Sequence, residues 1–130
     1  MLRETYLSFL VFVGGGFGAV LRHTVNRLTI GLAGGFPIGT MMINIVGSLV
    51  IGLLAGWFTF RGEQTGQELR LLLVTGVVGG FTTFSAFTLD LALMWERGAS
   101  LPAAGYLFGS VGLSLVAVFA GLAISKGVFG

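Results

Sequence analysis

The chain has no cysteine, one histidine and two prolines in 130 residues, and only 9% of it is charged. Each shortage excludes something. Without cysteine there is no disulfide and no thiol nucleophile, although this fixes no compartment. A single histidine, His23, cannot build a metal or catalytic cluster by itself, and beside Arg22 it belongs at an interface. The acids stand singly at Glu4, Glu63, Glu68, Asp90 and Glu96, apart from one another, so no paired-carboxylate chemistry is written into the chain. An ordinary soluble domain carries about 25% charged residues. This chain has too few to cover a water-facing surface. Its pI of 9.7 comes from seven Lys/Arg against five Asp/Glu. The basic residues are scattered without a cluster, which argues against nucleic acid as a partner.

What remains is apolar. Hydrophobic residues make up 55% of the chain, and the mean hydropathy is +0.98. This is the composition of an integral membrane protein. Met1-Leu2-Arg3 begins like a signal peptide, but no convincing cleavage site follows, so the segment reads as a first span that stays attached. The charges mark the spans. None lies between Glu4 and Arg22, Arg27 and Arg61, Arg70 and Asp90, or Arg97 and Lys126. A helix needs about 20 apolar residues to cross the hydrocarbon core. The spacing predicts one transmembrane domain of four helices, near residues 6–28, 38–60, 68–95 and 102–127. Arg61–Gln67 is then a polar loop, and Pro102 suits the start of the fourth helix.

Glycine is abundant, at 23 residues. Gly14/Gly18, Gly52/Gly56 and Gly105/Gly109 recur at spacing four, which lets membrane helices approach closely. Four spans make a thin bundle, so the pattern also predicts an oligomer. Gly14-Gly15-Gly16-Phe17-Gly18-Ala19 fits the dinucleotide pattern G-x-G-x-x-G/A, but that motif must follow a strand in a soluble unit, and here it lies inside a membrane helix.

The polar minority within the spans is the informative part. Thr40, Asn44 and Ser48 share one face of the second helix, and Tyr106, Ser110 and Ser114 share one face of the fourth. The third carries Gly79-Gly80-Phe81-Thr82-Thr83-Phe84-Ser85-Ala86-Phe87. Gly-Gly is a weak place for a helix, so the third helix is expected to break at Gly79–Thr83. Non-helical backbone at membrane depth survives only when buried in protein or lining a wet cavity. Two readings of the hydroxyls stand: each bonds its own i−4 carbonyl, or together they line a wet path. No Lys or Arg enters the stripes, so neutral donors would solvate a small anion without trapping it. Phe84 and Phe87 either face lipid or core, or turn their positive ring edges toward that anion. Asp90 is either a functional membrane acid or an interfacial partner of Arg97.

Three segments together are similar to the small fluoride channels called Fluc or CrcB. They are Gly15–Arg22 in the first helix, Gly39–Ser48 in the second and Gly76–Phe87 in the third. The resemblance implies a passive, selective fluoride channel that exports fluoride from microbial cells and relieves its toxicity, multi-pass in the inner (plasma) membrane. It implies an antiparallel, dual-topology homodimer with two pores, each built from both subunits. Asn44, Phe84 and Phe87 would line the fluoride path, with Thr40, Ser85, Tyr106, Ser110 and Ser114 along it and Asp90 and Arg22 at its entrances. A structural sodium ion would sit on the dimer axis, held by the backbone carbonyls of Gly79 and Thr82. Partners are then fluoride, sodium, a second copy and membrane lipid. One departure is Ala86, where the family's run has threonine, so a hydroxyl near the rings is lost.

A small multidrug exporter also has four short helices, but it needs a glutamate inside the first, and no acid lies between Glu4 and Glu63. A membrane enzyme would need a reactive cluster that His23 and Asp90 cannot supply. A purely structural subunit would not need aligned polar stripes.

Overall fold

The computed structural model of the chain describes residues 1–61 and 66–130. Among the described residues, four helical spans are long and apolar enough to cross a membrane: Leu2–Thr29, Ile38–Arg61, Gly66–Glu96 and Ser100–Phe129. The first two are α1 (Leu2–Thr29) and α2 (Ile38–Arg61). The third span is composite. It runs through α3 (Gly66–Arg70), a π-helical stretch (Leu71–Val78), α4 (Gly79–Phe81) and α5 (Phe84–Glu96). The fourth is α6 (Ser100–Phe129). The interior of the expected Arg61–Gln67 loop lies outside the described residues. Its ends are helical: Arg61 closes α2, and Gly66 and Gln67 open α3.

Glycine decides which helices meet. A Cβ on Gly14 would collide with the Leu72 carbonyl, and one on Gly18 with the Val77 carbonyl. The first helix therefore lies directly on the π-helical stretch. On the other side of the bundle, Gly52 sits against the Val118 carbonyl and Gly121 against the Leu49 carbonyl, which brings α2 and α6 together. Ser125 Oγ strengthens that seam by donating to the Leu53 carbonyl at 2.7 Å. Gly105 behaves differently, since a Cβ there would meet nothing within 4 Å.

The sequence expects the third span to break at Gly79–Thr83; the extended residues fall at the end of that range, and its two glycines stay helical. Gly79 is helical, at φ −61° and ψ −38°. Gly80 is needed for approach, because its Cβ would strike the Gly15 carbonyl. The extended residues are Thr82 (φ −80°, ψ 156°) and Thr83 (φ −152°, ψ 123°), between α4 and α5. Thr83 then caps α5 by accepting a hydrogen bond from the Ala86 N–H at 3.2 Å, the usual service of a threonine at a helix start.

Candidate functional site

Two extended residues in a membrane span leave backbone groups to satisfy. Asn44 supplies both partners for Thr83. Its Nδ2 donates to the Thr83 carbonyl at 3.0 Å, and the Thr83 N–H donates to its Oδ1 at 2.9 Å. The amide thus imitates a neighbouring strand. Gly47, one turn further along α2, makes the approach possible, because any side chain there would overlap the Thr82 methyl. Arg22 approaches from the other side. Gly18 presses α1 onto Val77 and Phe81, and one turn later Arg22 Nη1 donates to the Thr82 carbonyl at 3.5 Å.

These contacts form one wall of a groove of about 560 Å³. Asn44 and Ser48 line it from α2, Gly79, Thr82, Thr83, Phe84 and Phe87 from the third span, and Ser110 and Ser114 from α6. Seven of the pathway and ion-site residues expected from the sequence therefore meet there, Asn44, Gly79, Thr82, Phe84, Phe87, Ser110 and Ser114, and Ser48 of the α2 stripe joins them. No lining residue carries a charge. The hydroxyls divide between the two readings given above. Ser48 Oγ donates to the Asn44 carbonyl one turn back at 2.7 Å. Ser110 Oγ is buried and has no hydrogen-bond partner among the described residues. A serine that ignores its own i−4 carbonyl keeps a donor for something else.

Phe84 and Phe87 lie side by side, with ring centroids 5.9 Å apart and planes at 46°. Their environments differ sharply. Phe84 is 76% exposed on the open side of the groove, whereas Phe87 is 5% exposed. Behind Phe87 lies Tyr106, fully buried, with centroids 5.1 Å apart.

Five residues picked out in the sequence do not line the groove. Tyr106 and Thr40 are buried, and Tyr106 backs Phe87. Ser85 is exposed, and its carbonyl accepts from Thr88 Oγ1 at 3.0 Å. Asp90 Oδ2 accepts from the Tyr106 hydroxyl at 3.1 Å. The Asp90–Arg97 pairing is not formed, because Arg97 Nη2 donates to the Gly35 carbonyl at 3.1 Å. Arg22 is half-buried and reaches only the backbone of Thr82. Two features escaped sequence reasoning. One is the role of Thr83, expected only as part of the break, whose backbone receives Asn44 and whose hydroxyl caps α5. The other is Phe36, which stacks edge-on to Tyr106 at 5.5 Å and 81°. An aromatic side chain immediately before Pro37 was the only available signal for it.

Residues 9–122 match the family model described as CrcB-like protein, Camphor Resistance (CrcB). The chain belongs to the CrcB family. Curated relatives cover it almost end to end. It is 52% identical over 125 residues to a protein of Rhodopseudomonas palustris named fluoride-specific ion channel FluC, covering 95% of this chain and 98% of that one. It is 55% identical over 118 residues to the FluC 2 of Nitrobacter hamburgensis, covering 90% and 94%. With the FluC of Paracoccus denitrificans it shares 49% identity over 128 residues, covering 98% and 99%. The groove thus belongs to a CrcB protein whose relatives carry the name of an ion channel.

Proposed function

We propose that this CrcB protein is a fluoride-selective channel, not an enzyme, and that it exports fluoride passively and so relieves fluoride toxicity. The observation that carries the reading is Ser110 Oγ, a buried hydroxyl without a partner among the described residues, beside the two phenylalanine rings. An unpartnered buried donor is costly in low dielectric, and a small anion would satisfy it. The ring edges of Phe84 and Phe87 add weak attraction without fixing a cation in the path. Thr40, Asn44, Tyr106, Ser114 and Ser85 complete the pathway, with Arg22 and Asp90 at its entrances. The names of the relatives support fluoride as the ion carried.

The assembly is an antiparallel, dual-topology homodimer in the inner membrane, with two pores. The exposure of Phe84 supports this, since a second copy would close the groove on that side. Sodium at the dimer axis is consistent with the donor set. In an unbroken α-helix the Thr83 N–H would close on the Gly79 carbonyl, but here it goes to Asn44 instead. The Thr82 carbonyl is shared only with the long contact from Arg22. Both are hard oxygens suited to a small hard cation. Bound there, sodium would supply a positive charge joining the two third spans.

Purified protein in liposomes, with a potassium ionophore added, should discharge a fluoride gradient and retain chloride. Equal fluxes of the two anions would defeat the selectivity reading, and no fluoride flux would defeat the function.

A further inference from the structure

Tyr106 is fully buried between two aromatic neighbours, and its hydroxyl is held by Asp90. That hydrogen bond leaves one freedom open. The Tyr106 oxygen lies on the axis about which the ring turns, so holding it fixes the ring's tip and not the tilt of its plane. The tilt has to be set by what touches the faces and edges. On one side Phe36 meets Tyr106 at 81°, the edge-to-face geometry that aromatic quadrupoles favour. On the other, Phe87 packs against Tyr106 at 52° and passes the arrangement on to Phe84. Phe36 lies on the connection between α1 and α2, where Gly31, Gly34 and Gly35 have positive φ. Arg97 ties that connection down by donating to the Gly35 carbonyl, next to Phe36.

We propose that Phe36 is a positioning residue for anion selectivity: it sets the tilt of Tyr106 and thereby the direction in which the Phe87 ring edge points. Arg97 acts in the same chain by holding the Gly35–Phe36 backbone in place. The inference rests on the channel reading above, because only a ring whose edge meets the ion makes tilt matter. Phe36 itself does not line the groove.

The test compares wild type, Phe36→Leu, Phe36→Tyr and Arg97→Ala as purified, size-checked protein in liposomes. Fluoride and chloride efflux are measured on the same preparations. Phe36→Leu keeps an apolar side chain of similar bulk and removes the ring. It should shift the fluoride-to-chloride rate ratio toward chloride by roughly two- to tenfold, the worth of one edge-to-face pair. Phe36→Tyr keeps the ring and should restore the wild-type ratio. Arg97→Ala should shift the ratio in the same direction by less. A purely structural role would lower both rates together and leave the ratio alone. An unchanged ratio in correctly assembled Phe36→Leu overturns the proposal, as does an equal shift in Phe36→Tyr. If Phe36→Leu does not assemble, Arg97→Ala decides, and an unchanged ratio there overturns it. A wild type that carries no fluoride overturns the channel reading, and this inference falls with it.

Discussion

Replacing Asn44 with leucine tests how the third span tolerates two extended residues. The substitution nearly preserves volume and removes both hydrogen bonds to Thr83, a residue only 8% exposed. A buried backbone group left without a partner costs about 1 to 3 kcal/mol. Hydrogen bonds between membrane helices measure lower, averaging about 0.6 kcal/mol, because the altered state finds other partners. Here the partners are backbone groups of an interrupted helix, and another side chain would have to pass Gly47 to reach them. The higher range therefore applies, and we expect a loss of about 2 kcal/mol for the two groups together. The alternative response is rewinding, in which the Thr83 N–H returns to the Gly79 carbonyl and withdraws an oxygen proposed for sodium. Both outcomes abolish fluoride flux. Unfolding of the detergent-solubilised variant gives the first quantity, and hydrogen exchange at the Thr83 amide distinguishes the two. The reasoning is refuted if the variant stays within about 0.5 kcal/mol of wild type, the range of an inert substitution, and still conducts fluoride.

Gly80→Ala places a Cβ against the Gly15 backbone, which cannot yield, and should destabilise the fold by about 1–3 kcal/mol; Gly105→Ala, with open space, should be neutral or slightly stabilising, and detergent unfolding compares the two. Phe84→Ile and Phe87→Ile keep apolar bulk but lose the ring edge, so fluoride efflux should fall steeply with the protein still eluting at its wild-type size; undiminished flux in both would move the pathway elsewhere. Prolonged removal of sodium should abolish efflux and its return should restore it, and full activity after verified removal would count against a structural ion. A single cysteine at Ser100 should be labelled from both sides of the membrane, because Lys/Arg sit almost evenly at the two ends: Arg3, Arg61, Arg70 and Lys126 against Arg22, Arg27 and Arg97; labelling from one side alone would exclude dual insertion.

The spans were legible because charge is expensive in hydrocarbon, so the rare charged residues stand where the helices leave it. The polar stripes were legible because helical period places Asn44 with Ser48, and Ser110 with Ser114, on one face each. Glycine was legible as a packing signal and misleading as a breaking one. The intrinsic cost of glycine in a helix is about 1 kcal/mol, small enough for tertiary contact to decide. At Gly80 the contact is the Gly15 backbone, so the residue stays helical and is required there. The extended pair instead falls on two threonines, whose branched side chains already disfavour helix slightly.

That choice depended on a partner the local sequence does not contain. Asn44 lies 39 residues before Thr83. Nothing in the period of α2 says whether its amide meets an ion or a backbone. In the folded chain one side chain does structural work at the wall of the groove it also lines. The same holds one layer deeper, where Tyr106 shares a stripe with Ser110 yet packs behind Phe87 and does not line the groove. Helical period sorts residues by face. It does not sort them by depth, and in this bundle depth separates the groups that line the groove from those packed behind it. Phe36 is the limiting case: it lies outside every span, and only the glycine-rich turn before Pro37 brings it to Tyr106.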